Sequence, residues 1–299
     1  MNCGAWRVAF SISLAIAPAM TGAFGCSGTR AQPDLALQAF VEGEGSPVVM
    51  LGGGTFGAGA FAPHARILAQ DFRVVRLQTL HFERSQKRQP LPVGYSVKVE
   101  SAAMAKALDQ LGLTTAVDVI GWSYGGVVAL DFALDHPDRV RTLALAEPPA
   151  FWAVPAKELR AASGMRTMYE LSRELVPERE PTDDQYVRFL CALGNCGVKP
   201  PSVGQPGWQD WATRRSALRG LSAVPNHTDR IDRLKAFRRP VLIMTGTDTV
   251  AFHRRINDIL AASFPMAERV ELAGGHTAPV TARDEFLANW QAFLARHRS

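Results

Sequence analysis

The five residues Gly121-Trp122-Ser123-Tyr124-Gly125 constrain the fold of this chain more than any other feature of the sequence. They follow the strand-like run 116–120, which is apolar except for Asp118, and precede a helix-like stretch over residues 126–130. A Gly-x-Ser-x-Gly pattern between a strand and a helix indicates a sharp turn that holds the serine in a strained backbone conformation. The strand and the helix approach closely there, so only small side chains fit at Gly121 and Gly125. We therefore expect Ser123 at the C-terminal end of a strand, beside a helix N-terminus, as a candidate nucleophile.

Short β-rich runs alternate with helical stretches along the chain. The predicted strands cover residues 35–41, 48–51, 73–77, 116–120, 140–146, 241–244 and 269–272, and the predicted helices cover 62–70, 96–111, 124–134, 252–263 and 283–296. Strands that are buried on both faces and separated by helices predict an α/β fold, with a mostly parallel sheet and helices on both faces. The interval from 147 to 239 is too long for a structureless loop and predicts an inserted helical cap, with helices over 157–176 and 182–193.

The composition argues against two broad classes of protein. Of the 299 residues, 47% are hydrophobic and 20% are charged with mixed sign, which is enough apolar material for a core and excludes wholesale disorder. The net charge is +5, but lysine and arginine are scattered along the chain in short pairs. A nucleic-acid-binding protein concentrates its cations on one face, so we expect no nucleic-acid partner.

Residues 1–30 resemble an export signal. Arg7 precedes the apolar stretch 8–20, and small residues lead up to Cys26. A cysteine directly after such residues is typical of a bacterial lipoprotein, with Cys26 as the lipid-anchored residue. This pattern predicts a periplasmic or membrane-anchored protein. The alternative is a cytoplasmic enzyme with an N-terminal tail.

Cys191 and Cys196 are separated by only five positions. In an oxidising compartment they could close a small disulfide, and the alternative is two unpaired buried thiols. No histidine or further cysteine lies near them in the sequence, so the pair does not indicate a zinc site.

Together with the serine motif, two further segments identify a family. Residues 135–140 read Asp-His-Pro-Asp-Arg-Val before a strand, and Leu51-Gly52-Gly53-Gly54 follows an earlier strand. Over residues 33–299 the chain resembles the α/β-hydrolase superfamily. This resemblance implies a core over 31–146 and 240–299, a helical cap over 147–239, and a nucleophilic serine, an acid and a histidine in that order, with no cofactor.

His276 is the candidate base that this resemblance implies. It lies in Gly274-Gly275-His276, after the last strand and before the final helix. A serine hydroxyl is a poor nucleophile unless a neighbouring imidazole accepts its proton. The resemblance also implies two oxyanion donors, the backbone N–H of Tyr124 and that of Gly54, with Gly53 as the fallback.

Two residues compete for the role of the acid. Asp248 follows the strand 241–244, where many members carry the acid, but the usual spacing after Gly246 falls on Thr249. Glu147 ends the preceding strand, where zearalenone-lactone hydrolases and some other relatives carry a glutamate. We favour Glu147 and keep Asp248 as the alternative acid, since Asp248 could instead cap the helix that follows it.

Trp122, Phe56, Phe151 and Trp152 are candidates for the lining of a substrate pocket beneath the cap, although each could equally be a core residue. The resemblance implies hydrolysis of a small-molecule carboxylic ester or lactone through an acyl-enzyme. Alternatives on the same fold are amide or carbon–carbon bond hydrolysis, cofactor-free peroxidation, and non-catalytic ligand binding.

Overall fold

The computed structural model describes residues 35–161 and 163–297. Its seven strands are β1 (Gln38–Glu42), β2 (Ser46–Leu51), β3 (Phe72–Gln78), β4 (Val117–Trp122), β5 (Val140–Ala146), β6 (Val241–Gly246) and β7 (Ala267–Leu272). All seven predicted strands are present, with bounds that differ by no more than three residues. The export signal and the lipid anchor at Cys26 lie outside the described residues and stay predictions.

The strands form one sheet in the order β1-β3-β2-β4-β5-β6-β7. β1 pairs with β3 in antiparallel fashion, and every other pairing is parallel. The α/β fold with a mostly parallel sheet, predicted from the alternating pattern, is therefore confirmed. Because parallel strands share a direction, their carboxyl ends meet at one edge of the sheet, which is where α/β proteins place their sites.

Twelve helices occur in the described part of the chain. They are α1 (Ala62–Leu68), α2 (Leu80–Gln86), α3 (Val97–Gln110), α4 (Tyr124–Asp135), α5 (Ala156–Ala161), α6 (Ser163–Glu174), α7 (Asp183–Ala192), α8 (Trp208–Ala217), α9 (Ile231–Ala236), α10 (Ala251–Ser263), α11 (Ala278–Thr281) and α12 (Arg283–His297). Within residues 35–161 and 163–297, none is long and apolar enough to cross a membrane.

Helices cover both faces of the sheet. Along β2, Val49 and Leu51 belong to one hydrophobic cluster, whereas Val48 and Met50 belong to a second. Successive side chains of a strand point to opposite faces, so the two clusters are the two sides of the sheet. This explains why β2 is apolar throughout instead of alternating with polar residues.

Helices α5 to α9 fill the interval between β5 and β6, where the sequence predicts a helical insertion. Thr182 caps the start of α7 through two reciprocal hydrogen bonds. Its side-chain hydroxyl accepts from the backbone N–H of Gln185, and the Gln185 side chain accepts from the backbone N–H of Thr182. A disulfide joins Cys191, in the last turn of α7, to Cys196 in the loop that follows, with their Cα atoms 4.0 Å apart. The assignment of residues 147–239 as a separate cap domain stays a prediction.

Steric contacts explain why the serine motif has glycine at positions 121 and 125. A Cβ atom on Gly121 would lie 2.6 Å from the Cα of Gly126, and one on Gly125 would lie 2.5 Å from the carbonyl oxygens of Leu51 and Gly52. These obstacles are backbone atoms of the adjoining strand and turn, which cannot move aside as a side chain can. The close approach of β2, β4 and α4 thus requires glycine at these positions.

We predict that Gly125→Ala lowers the free energy of unfolding by about 2 kcal/mol or more, because the added methyl group overlaps backbone atoms. Gly59→Ala is the matched control, since a Cβ there would meet nothing within 4 Å. Urea unfolding of both variants measures the difference. Equal midpoints for the two variants would contradict the steric account.

Candidate active site

Ser123 lies at the turn between β4 and α4, with φ 53° and ψ −123°. Positive φ is unfavourable for any residue with a Cβ atom, and it persists only where surrounding contacts enforce it. The backbone N–H of Ser123 donates to the carbonyl of Ala146 at the end of β5, 2.8 Å away. The predicted turn therefore presents the serine hydroxyl at the carboxyl edge of the sheet.

His276 lies in the loop between β7 and α11, and its Nε2 is 2.9 Å from Oγ of Ser123. Its Nδ1 is 2.7 Å from Oε2 of Glu147. An ionised carboxylate only accepts hydrogen bonds, so Nδ1 carries the proton and Nε2 is the free base that faces the serine. The indole N–H of Trp122 donates to the backbone carbonyl of His276 at 2.9 Å, which anchors the loop.

Glu147 is the first residue after β5 and also has a positive φ, 48°. Its Oε1 accepts from the backbone N–H of Gly246, and its Oε2 accepts from the hydroxyl of Thr249, both at 2.8 Å. Burial by itself would raise the pKa of Glu147. The hydrogen bond from His276 is the largest opposing effect, and together with the electrostatic influence of the His253 and His276 imidazoles and the N–H of Gly246 it lowers the pKa to about 2. The carboxylate therefore stays ionised near neutral pH.

The structure brings Glu147, and not Asp248, to His276. Asp248 is exposed, and its backbone N–H donates to the carbonyl of Gly274 at 2.8 Å. Asp248 does not cap the next helix either, because α10 begins after Val250 with no side-chain cap. The residue at the usual acid spacing, Thr249, donates its hydroxyl proton to Oε2 of Glu147.

Gly54 and Tyr124, the two predicted oxyanion donors, are neighbours. A Cβ atom on Gly54 would lie 3.1 Å from Cβ of Tyr124. Among residues 35–161 and 163–297, no backbone hydrogen bond outside regular elements uses the N–H of either residue. The fallback donor Gly53 lies against the indole ring of Trp122, since a Cβ atom on Gly53 would be 3.1 Å from that ring.

A cavity of about 70 Å³ opens over Ser123 and His276. Its walls are mainly apolar and come from both the sheet edge and the helices after β5. The lining includes three of the four predicted pocket residues, Phe56, Trp122 and Phe151, together with Met168, Phe189, Leu221 and Phe252. Such a wall suits an apolar acyl or ring group.

Trp152 is not among the residues that line this cavity in the described part of the chain, which corrects its assignment as a pocket residue. Phe151 and Trp152 belong to one short 3₁₀ turn, so their consecutive side chains point in different directions. The Trp152 ring instead packs edge-on against His227, with ring centroids 6.4 Å apart.

His253 lies beside His276 in the site, although nothing in the sequence singles it out as a candidate. Its imidazole is 1% exposed and stacks on that of His276, with centroids 4.2 Å apart and planes 9° from parallel. Burial, and then the neighbouring His276, lowers the pKa of His253 well below its ordinary value. The sequence signal that could have indicated His253 is its place in the first turn of α10, the helix that follows β6 at the carboxyl edge of the sheet.

Glu147, His253 and His276 are also the described residues whose ligand atoms lie close enough together to hold a metal, within 4.8 Å. Both nitrogens of His276 already hydrogen-bond, to Ser123 and Glu147. The stacked rings direct their lone pairs side by side and not toward one point. This group therefore does not offer a ready set of three metal ligands.

Comparisons with known proteins agree with this architecture. A family model described as "alpha/beta hydrolase fold" matches residues 46–282. The "Putative carbamate hydrolase RutD" of Caulobacter vibrioides is 36% identical over 274 residues, which are 84% of this chain and 91% of that protein. The protein of the same name from Serratia proteamaculans is 28% identical over 268 residues, which are 81% of this chain and 88% of that protein.

A solved structure, the enol-lactonase of Burkholderia xenovorans, superposes with a TM-score of 0.58 and 20% identity, over 87% of this chain and 96% of that one. At that identity the likeness concerns the fold alone.

The depressed pKa of Glu147 makes stability depend on pH. Its folded value of about 2 lies below the ordinary 4.5, so the carboxylate stabilises the fold above pH 4.5 and loses this contribution as the pH falls toward 2. We predict that Glu147→Gln lowers the unfolding free energy by up to about 3 kcal/mol at pH 7 and by progressively less below pH 4.5.

Urea unfolding from pH 7 to pH 3 measures this difference. Asp248→Asn, which changes an exposed carboxylate two residues after Gly246, is the matched control and should give a small difference at every pH. A Glu147→Gln difference that stays constant over this range would contradict the assignment of an ionised, hydrogen-bonded carboxylate.

Proposed function

Because the chain belongs to the α/β-hydrolase fold family, we propose that it is a serine hydrolase that cleaves carboxylic esters or lactones through an acyl-enzyme. The observation that supports this most directly is the continuous hydrogen-bonded series from Oγ of Ser123 through His276 to Glu147. This series is the arrangement in which a hydroxyl loses its proton as it attacks a carbonyl.

In the first half of the reaction, Oγ of Ser123 attacks the carbonyl carbon while its proton moves to Nε2 of His276. The resulting imidazolium is stabilised by the ionised carboxylate of Glu147. The backbone N–H groups of Tyr124 and Gly54 donate hydrogen bonds to the substrate oxygen on which negative charge develops. His276 then protonates the leaving oxygen, and the carbon–oxygen bond breaks to leave an ester on Ser123.

In the second half, His276 removes a proton from water, which attacks the acyl-enzyme. The tetrahedral intermediate collapses, the proton returns to Oγ of Ser123, and the carboxylic acid departs. In a lactone the leaving oxygen stays attached to the acyl group, so the product is a hydroxy acid.

The named relatives make a carbamate a second candidate substrate. A carbamate ester has the same carbonyl and leaving oxygen as a carboxylic ester, with a nitrogen in place of the first acyl carbon. The apolar walls formed by Phe56, Phe151 and Phe252 favour a hydrocarbon acyl group over this polar nitrogen. We therefore place the carboxylic ester or lactone first.

We predict that the full chain hydrolyses p-nitrophenyl butyrate and that Ser123→Ala lowers kcat by at least about 10⁴-fold, because the nucleophile is lost. Glu147→Gln should lower kcat by about 10³–10⁴-fold, since the amide no longer fixes the His276 tautomer. Release of p-nitrophenolate measures all rates.

Asp248→Asn is the matched control and should keep kcat within about twofold of the wild-type value, as expected for an exposed carboxylate away from His276. If kcat collapses in Asp248→Asn and stays near the wild-type value in Glu147→Gln, the catalytic acid is Asp248 and not Glu147. A wild-type rate no greater than that of Ser123→Ala on acetate, butyrate and octanoate esters would contradict ester hydrolysis.

A second prediction separates the two substrate classes. We expect higher kcat/KM for p-nitrophenyl butyrate than for p-nitrophenyl N-ethylcarbamate, which has the same number of atoms beyond the carbonyl carbon, because the mainly apolar lining favours a methylene group over the polar carbamate N–H. Parallel measurement of both substrates on one enzyme preparation gives the ratio. A larger value for the carbamate would favour carbamate hydrolysis instead.

A further inference from the structure

A second buried carboxylate, Glu100, lies behind the loop that carries Gly54. It belongs to α3 and is fully buried. Carboxylates are almost never fully buried unless their oxygens have partners. Here the oxygens accept from the backbone N–H groups of Leu80 and His81 at 2.9 and 3.1 Å, which fixes the start of α2 against α3.

His81 connects Glu100 to the glycine loop. Its Nδ1 is 3.2 Å from Oε1 of Glu100, and its Nε2 is 2.8 Å from the carbonyl oxygen of Gly54. A carbonyl and a carboxylate both only accept, so in this network Nε2 donates to Gly54 and Nδ1 donates to Glu100. The loop 52–54 consists of glycines and has no side chain of its own to hold its peptide planes. The peptide that carries the N–H of Gly54 is held within the loop, because its carbonyl on Gly53 accepts from the N–H groups of Phe56 and Gly57. The following peptide, which carries the carbonyl of Gly54, is held from outside by His81.

A second branch connects Glu100 to Tyr124. The hydroxyl of Tyr95 lies 2.6 Å from Oε1 of Glu100 and 2.5 Å from the hydroxyl of Tyr124. Since Tyr95 has one proton and gives it to the carboxylate, Tyr124 donates to Tyr95. Burial, and then the charge of Glu100, raises the pKa of both tyrosines well above its ordinary value, which keeps these two protons in place.

The two branches end on the two residues that supply the oxyanion donors, at the carbonyl of Gly54 and at the side-chain hydroxyl of Tyr124. The rings of His81 and Tyr124 also meet edge to face, with centroids 4.5 Å apart. Oxyanion donors lower a reaction barrier only when they already point at the position that the charged oxygen will occupy. A buried network in which every member is satisfied is rigid enough to maintain such a direction.

We propose that Glu100 is a positioning residue that orients both oxyanion donors, Gly54 through His81 and Tyr124 through Tyr95. The inference rests on the proposed function, because the two N–H groups act as an oxyanion hole only if Ser123 attacks a carbonyl. Glu100 acts on the transition state through these neighbours and does not touch the substrate.

The test is Glu100→Gln in the full chain, assayed with p-nitrophenyl butyrate and with phenylboronic acid, which forms a tetrahedral adduct on an active serine. We expect kcat to fall about 10–100-fold with KM within about threefold, and Ki of phenylboronic acid to rise by a factor similar to the fall in kcat, because misdirected donors weaken tetrahedral binding selectively. Tyr95→Phe, which cuts only the Tyr124 branch, should lower kcat by about 3–10-fold.

Asp118→Asn is the matched control, since Asp118 is also a fully buried carboxylate but pairs with Arg141 and Thr142 at the other end of β4. It should lower the unfolding midpoint and keep kcat within about twofold, as a purely structural role requires. If Glu100→Gln folds and, like Asp118→Asn, has a lower unfolding midpoint but a kcat within about twofold of the wild-type value, the inference is overturned. If Glu100→Gln does not fold, an unchanged kcat and Ki in Tyr95→Phe overturns it. A wild-type enzyme without Ser123-dependent turnover would instead contradict the proposed function, and the inference with it.

Discussion

The hydrogen bond between Nδ1 of His276 and Oε2 of Glu147 joins two loops that arrive at the site from different strands. It sets the imidazole plane and leaves Nε2 free to face Ser123. Without it the ring could rotate, the wrong tautomer could form, and the serine would keep its proton. Gly246 and Thr249 hold the same carboxylate from the end of β6. One buried anion thus ties together the carboxyl ends of β5 and β6 and the loop that follows β7.

Backbone strain is concentrated at the carboxyl ends of β4 and β5, beside these hydrogen bonds. Ser123 and Glu147, at the ends of the adjacent strands β4 and β5, are two of the three described non-glycine residues with positive φ. Each such conformation costs of order 1–3 kcal/mol and persists only when its surroundings enforce it. The enforcement comes from the sheet pairing, from close contacts that allow only glycine at 121 and 125, and from the hydrogen bonds to Glu147. The stability of the fold thereby maintains a geometry that the isolated turns would not keep.

Much of this architecture is predictable from the sequence, because local patterns determine it. The hydrophobic periodicity and the apolar runs predict all seven strands, with β5 at its observed bounds. The small residues of the Gly-x-Ser-x-Gly motif predict that Ser123 lies on a sharp turn. Properties that depend on which elements meet in space are not predictable in this way. The side-chain direction of Trp152 depends on a 3₁₀ turn, the stacking of His253 on His276 requires β6 and β7 to be neighbours, and Glu100 is only one polar residue of a helix until α3 packs against α2. The choice of Glu147 over Asp248 likewise depends on tertiary distance.

We propose that Glu147, through His276, activates Ser123, and the rate of covalent labelling by a fluorophosphonate tests this activation without reference to any substrate. Intact-mass and peptide mass spectrometry would follow the reaction in the wild type and in Glu147→Gln. We predict one adduct per chain, located on Ser123, that forms at least about 100-fold more slowly in the variant, because the imidazole is no longer held as a base. An adduct on another residue, or equal rates in the two proteins, would contradict it.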